Sequence, residues 1–170
     1  MEIRIQSTGA VMYWSEFRDL LLAQNPSELI TVAPQTEEWL NAHGADVVLE
    51  GPQATGGDRY QYSQRSGVEQ VDGKWYTKHI LGPVFTDRAA QGDQPAQTAA
   101  EQEAAYKAMK DAEQAKSARE DRTKRLAASD WTQITDSTAD KTAWATYRQQ
   151  LRDITAQAGF PWTMTWPESP

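Results

Sequence analysis

The chain has 170 residues, 39% of them hydrophobic, and carries 17 Lys plus Arg against 24 Asp plus Glu, a formal charge of −7. Such an acidic balance argues against DNA or RNA as the main partner, since phosphates call for an excess of cations. The absence of cysteine removes disulfides and thiolate zinc sites. Two histidines leave little for metal chemistry, and no apolar run approaches the roughly 18 residues that cross a bilayer. No charged-then-apolar signal segment opens the chain, so neither a leader nor a membrane partner is expected.

In chain order, Ile3 and Ile5 alternate with polar residues, a half-buried strand that stops at Ser7-Thr8-Gly9. Tyr13, Phe17, Leu20 and Leu21 then follow helical spacing and predict a helix that ends before Asn25-Pro26. A second short helix is expected after Pro34, with Trp39 and Leu40 inward and Gly44 as its left-handed stop. Val47-Val48-Leu49 reads as a strand closed by Gly51-Pro52, Gly56-Gly57 as a turn, and Tyr60 and Tyr62 as alternating positions after it. Asp72-Gly73 sits between two alternating runs, the pattern of a type I′ hairpin whose turn residues both need positive φ. That hairpin puts Val68, Gln70, Trp75, Thr77 and Leu81 on one face and Glu69, Tyr76 and Lys78 on the other. The first part of the chain is therefore expected to be a small sheet with helices on one side.

Composition changes near residue 88. Residues 1–95 hold seven basic and thirteen acidic side chains, whereas residues 96–170 hold ten and eleven. The polar stretch 88–97, with Gly92 and Pro95, reads as a linker between an N-terminal domain at 1–87 and a helical domain at 98–170. Thr98-Ala-Ala-Glu101 fits a capping box, and no Gly or Pro interrupts the chain from there to Ala128. The apolar seam of this long helix is mostly alanine, with Tyr106 and Met109 as its large members before Leu126. Alanine buries little area per contact, so the helix is expected either to extend as a solvated arm or to pack closely on another chain. A last helix after Asp140 carries Trp144, Tyr147, Leu151 and Ile154 on one face and is expected to end at Gly159. The closing Phe160-Pro-Trp-Thr-Met-Thr-Trp-Pro167 either folds back on that last helix or offers its rings to a partner.

Chemistry has few candidate groups. Glu37-Glu38 opens a helix, where acids suit the macrodipole. Asp130 reads as a turn or cap residue, His43 precedes a helix stop, and His79 sits in a strand, none with a partner at catalytic spacing. Gly51-Pro-Gln-Ala-Thr-Gly-Gly57 lacks the Lys-Ser/Thr of a phosphate loop, and Arg119-Glu-Asp-Arg-Thr-Lys-Arg125 reads as a solvated helix face laced with ion pairs. The seven tryptophans carry the greater interest: Trp14, Trp39, Trp75, Trp131 and Trp144 lie on or beside apolar stripes, while Trp162 and Trp166 lie in the tail.

Arg122-Thr-Lys-Arg-Leu-Ala-Ala-Ser-Asp-Trp-Thr-Gln133, then Ala143-Trp-Ala-Thr-Tyr-Arg-Gln-Gln-Leu-Arg-Asp-Ile154 and Gly159-Phe-Pro-Trp162, resemble the phage tail assembly chaperone domain over about residues 115–170. That family pattern runs Arg-aliphatic-Leu, a Ser/Thr-Asp-Trp-Thr-Gln run, a polar loop, a Trp-x-x-Tyr-Arg-x-x-Leu-Arg-Asp helix and a Pro-Trp-Pro tail. Lys124 and Ala127 depart from it, standing where aliphatics are common. Residues 1–87 are similar to regions found ahead of that domain in tailed-phage proteins.

The resemblance implies a tail fibre assembly chaperone, with no enzyme activity and no cofactor, acting in the host cytoplasm during assembly. Its partner would be the C-terminal region of a tail fibre protein, a trimer, with the baseplate or self-association as further contacts. The partner-binding residues expected from the long helix, the last helix and the aromatic tail are Tyr106, Met109, Trp131, Trp144, Tyr147, Trp162 and Trp166. A permanent structural component of the virion tail, at the fibre tip or baseplate, is the alternative. A stand-alone glycan-binding module is a third, since indole rings beside polar groups suit sugar stacking. In fold class the whole is expected to be α+β: a small N-terminal domain of short helices with a hairpin sheet, then a long helix and a C-terminal helical hairpin.

Overall fold

The computed structural model describes residues 1–27 and 29–170 and divides into two units, Met1–Val84 and Phe85–Pro170. The fold is α+β. In the first unit, strands β1 (Glu2–Ile5), β2 (Val11–Tyr13), β3 (Ala45–Leu49), β4 (Tyr62–Val71) and β5 (Lys74–Gly82) form one sheet in the order β2-β1-β3-β5-β4. All neighbours are antiparallel except β3 and β5, which run parallel through Val48↔Trp75 and Leu49↔Tyr76. Ile3 pairs with both Met12 and Val47, and Ile5 with Ala45, so the pleat turns these side chains to one face. Helices α1 (Trp14–Gln24) and α2 (Glu37–Ala42) cover that face with Trp14, Phe17, Leu21 and Leu40, while Ile30 joins from the intervening loop. Each large aliphatic fully buried here, such as Ile3 or Leu40, contributes about 1.5–3 kcal/mol.

Two expectations about this unit are corrected. Tyr13 is 60% and Leu20 45% exposed, and the buried stripe of α1 is Trp14, Phe17 and Leu21. The reason is local: Tyr13 ends β2 and caps α1 in an extended conformation, its amide donating to Glu16 Oε2 at 2.8 Å, so the helix begins one residue later. Tyr60 lies in the turn before β4, which starts at Tyr62. The hairpin is as expected: Asp72 (φ 48°) and Gly73 (φ 79°) both occupy the left-handed region, and Val68↔Thr77, Glu69↔Tyr76 and Gln70↔Trp75 set the register. It forms the far side of a larger sheet than the hairpin alone. Behind the sheet, Arg4 lies 3.9 Å over the Trp75 ring and pairs with Asp46 at 3.2 Å.

In the second unit the stretch 88–97, read from composition as a linker, is a small hairpin. Arg88 and Gln97 exchange backbone bonds of 2.8 and 2.9 Å, Gln91 and Gln94 do the same, and Gly92-Asp93 form the tip. The same turn residues that suggest a tether also close a hairpin. It is fastened to the next helix, since Ala99 N donates to Asp87 Oδ1 at 2.7 Å and Gln102 Nε2 to Thr86 O at 2.7 Å.

Helix α3 (Ala99–Ala128) starts with the expected capping box: Glu101 N donates to Thr98 Oγ1, and Glu101 Oε2 accepts the Thr98 amide at 2.8 Å. The Thr98 backbone N–H, then its hydroxyl, hold the Glu101 carboxyl below the usual carboxylate range. Along α3, Glu103–Lys107 and Lys110–Glu113 pairs lace the surface.

A short 3₁₀ turn (Asp130–Gln133), helix α4 (Lys141–Arg152) and a second 3₁₀ turn (Asp153–Ala156) return along α3. Ala115 and Ala118 of α3 and Tyr147, Leu151 and Ile154 of the returning segment are the buried apolar residues of this unit. The C-terminal segment thus covers the alanine face of α3 only at Ala115 and Ala118, while Ala105, Ala108 and Ala112 of its N-terminal half stay exposed. The tail lies against α3, with Arg119 5.4 Å over Phe160 and Arg125 4.5 Å over Trp166, and it also reaches α4, where Gln150 lines a cavity with Trp166 and Pro167. Helix α4 stops at Arg152, before Gly159. Gly159 serves the next turn, where a Cβ would overlap the Thr163 carbonyl and Thr163 N donates back to Gly159 O at 2.7 Å.

Candidate partner-binding surface

The last turn of α3 leaves carbonyls without helical partners. Arg148, from the middle of α4, closes this end: Nη1 donates to Leu126 O at 2.7 Å and Ser129 Oγ at 2.6 Å, and Nη2 to Asp130 Oδ1 at 2.8 Å. Its residue is only 9% exposed. Ser129 and Thr132 are buried beside it, with Thr132 Oγ1 donating to Ser129 O at 2.7 Å. Lys141 Nζ donates to the carbonyls of Thr132 and Ile134, and Asp140 caps α4 by accepting from Thr142 N and Ala143 N, each at 3.0 Å. Polar groups therefore clamp the connection between α3 and α4 at four places.

On this clamp stands an aromatic row. Trp131 meets Trp144 at 5.7 Å and 65°, and Trp144 meets Tyr147 at 5.5 Å and 89°, the edge-to-face geometry that ring quadrupoles favour. Tyr147 is buried, Trp144 half-buried, and Trp131 53% exposed, with Ile134 nearby in sequence at 55%. A cavity of about 240 Å³ opens beside the row, lined by Arg125, Ala128, Ser129, Trp144, Tyr147 and Ser169. A buried ring, a half-buried ring and an exposed ring in series make a rigid apolar ledge with a recess next to it.

The other expected partner-binding residues lie elsewhere in the second unit. Tyr106 packs against Phe85 at 5.6 Å, and Met109, a turn further along α3, is 47% exposed. Trp162 donates its indole Nε1 to Asp111 Oδ1 at 2.6 Å, and Trp166 is half-buried under Arg125. The structure thus brings Trp131, Trp144 and Tyr147 together and fixes Trp162 and Trp166 along α3. Sequence reasoning missed Ile134 and Arg148. The signal for Arg148 was available: it is a cation next to Tyr147 on the stripe that continues to Leu151.

The histidines have structural surroundings in the first unit. His43 stacks on Trp39 at 3.7 Å and its Nδ1 lies 2.7 Å from Trp39 O at the end of α2. His79 Nε2 lies 3.2 Å from Gln53 Nε2 and 3.5 Å from Glu50. Among the described residues no group of three His, Cys, Asp or Glu is placed to hold a metal, and no helix is long and apolar enough to cross a membrane.

Residues 115–170 match the family described as phage tail assembly chaperone protein. The second unit carries a phage tail assembly chaperone domain. No curated protein and no solved structure matches the chain. The chaperone domain begins at Ala115, the first buried residue of α3, and spans the clamp, the aromatic row and the tail. The match supports a chaperone role in tail assembly.

Proposed function

We propose that this protein is a tail fibre assembly chaperone. It binds the C-terminal region of the fibre subunit, covers strand edges and apolar surface, and lets three chains find their register before it leaves. Fibre trimers are slow to assemble because their contacts are non-local, and unpaired edges aggregate in the meantime. The observation that carries this reading is the chaperone domain at 115–170 with the exposed Trp131 at the end of its aromatic row.

In this reading Trp131 and Met109 supply direct apolar contact, and Trp144 and Tyr147 hold Trp131 in place from behind. Tyr106, Trp162 and Trp166 shape the surface of α3. No cofactor takes part, and the action belongs to the host cytoplasm while particles assemble. Co-expression with the tail fibre protein of the same phage tests it: the yield of soluble fibre trimer should rise several-fold, and an unchanged yield would overturn the reading.

A further inference from the structure

Arg119, Arg122 and Arg125 recur at every third position of α3 and so share the side of the helix that faces the tail. The neighbouring lysines have acids of their own: Lys116 stands 4.0 Å from Glu120, and Lys124 3.4 Å from Asp121. The three arginines differ. Among the described residues none of them has a carboxylate or other acceptor against its guanidinium, and the Nε of Arg122 is withdrawn from solvent without a hydrogen bond. Two of the three lie over rings instead, Arg119 over Phe160 and Arg125 over Trp166. A guanidinium held over an aromatic ring keeps its in-plane N–H groups available, and that fork matches a carboxylate with two parallel bonds. Stacking also holds the long side chain still, which lowers the entropy lost on binding.

A shallow groove of about 440 Å³ on α3 is lined by Lys116, Arg119, Glu120, Thr123 and Lys124, so it meets the row at Arg119 and leaves Arg122 and Arg125 outside it. The chain as a whole carries −7, so this row is a local excess of positive charge on an acidic protein. An occupant that complements it is acidic, extended, and able to follow two turns of helix.

The geometry points to a carboxylate-binding strip: Arg119, Arg122 and Arg125 take the Asp or Glu side chains of an acidic segment in the tail protein that the chaperone domain handles. The identity of that partner rests on the proposed chaperone function; the chemistry of the strip does not. Phosphate-bearing polymers share the charge, and the oligothymidylate below separates them from a carboxylate segment.

The test uses the full-length protein and a fluorescent ten-residue peptide of alternating Glu and Gly, with a Gln-for-Glu peptide and an oligothymidylate of equal length as comparisons. Saturable binding of the Glu peptide is expected, with none of the Gln peptide. Affinity should fall about tenfold between about 50 and 300 mM salt, and about tenfold in the Arg119→Gln/Arg125→Gln variant. Arg119→Lys/Arg125→Lys, which keeps the charge, should retain part of the affinity, and circular dichroism confirms that each variant is folded. Failure of the Glu peptide to bind, or equal binding by the Gln variant, would overturn the strip. Tighter binding of the oligothymidylate would overturn the assignment to a peptide. The fibre co-expression result decides the chaperone reading separately, since the peptide titration contains no fibre protein.

Discussion

The indole Nε1 of Trp162 donates to Asp111 Oδ1 at 2.6 Å, joining the tail to α3 across 51 positions of sequence. With Phe160 under Arg119 and Trp166 under Arg125, this bond lays the tail along the helix. Trp162→Phe removes the donor and keeps most of the ring. It should cost about 1–2 kcal/mol, as a hydrogen bond to a charged acceptor does. A double-mutant cycle with Asp111→Ala should show non-additivity, and strictly additive losses would mean the bond is absent in solution.

Arg148 should be the most sensitive polar residue of the second unit. Arg148→Ala leaves Ser129 Oγ without its buried donor and takes one donor from Leu126 O, which keeps the Ser129 amide and hydroxyl, with an expected loss of about 1–3 kcal/mol. Asp130 is largely exposed, so Asp130→Asn should cost no more than about 1 kcal/mol. Hydrogen exchange read by peptide would show Arg148→Ala raising exchange across 126–132 and 141–152 while β1 to β5 keep their protection.

The pH dependence of the first unit should contain a contribution from Glu2. Hydrogen bonds from Arg65, both at 2.6 Å, and the Arg65 charge hold its carboxyl below the ordinary value. A depressed carboxylate stabilises the fold fully above its unfolded value of about 4.5, and the benefit is lost as pH falls through the lower folded value. The pair lies at the surface, so its worth is at most about 1 kcal/mol. Thermal melts of wild type and Glu2→Gln should therefore differ at pH 6 and converge as pH drops below 4. A constant difference across that range would count against the pairing.

Much of this architecture was legible in the sequence where the cause is local. Asp72-Gly73 announces its hairpin because few residue pairs tolerate two positive φ values, and Thr98 with Glu101 marks the start of α3 because the capping box needs those side chains at that spacing. Helix α4 was readable from Trp144, Tyr147 and Leu151. What escaped was decided at long range. The parallel pairing of β3 with β5 leaves no trace in either strand, and Tyr13 lost its place in the stripe of α1 to Trp14 because β2 claimed it. The run of alanines in α3 does not say which of them the returning chain covers: Ala115 and Ala118 are buried, whereas Ala105, Ala108 and Ala112 stay exposed. Among the candidate binding residues, Trp131 and Trp144 were foreseeable as aromatics. Their meeting with Tyr147 depends on the clamp around Arg148, which only the folded chain displays.

Trp131→Ala tests the ledge itself. The side chain is half-exposed and outside the buried core, so folding should change by less than about 1 kcal/mol. If Trp131 anchors the fibre, its loss should weaken capture of the fibre protein by about 30-fold, the size typical of an aromatic hot spot. Met109→Ala should weaken capture less. Retained capture by the Trp131 variant would move the contact away from this surface.

A departing helper should be missing from finished particles. Mass spectrometry of purified virions is expected to detect the fibre protein and not this chain; stoichiometric presence of both would replace the chaperone that leaves with a permanent component.

Trp131 and Trp144 also provide a built-in optical reporter. Two indoles at 5.7 Å and 65° have coupled transitions, and such coupling splits the far-ultraviolet dichroism into a paired band whose sign follows their relative tilt. A client seated against Trp131 would alter that tilt or its surroundings, so the encounter can be timed on unlabelled protein in a stopped-flow spectrometer.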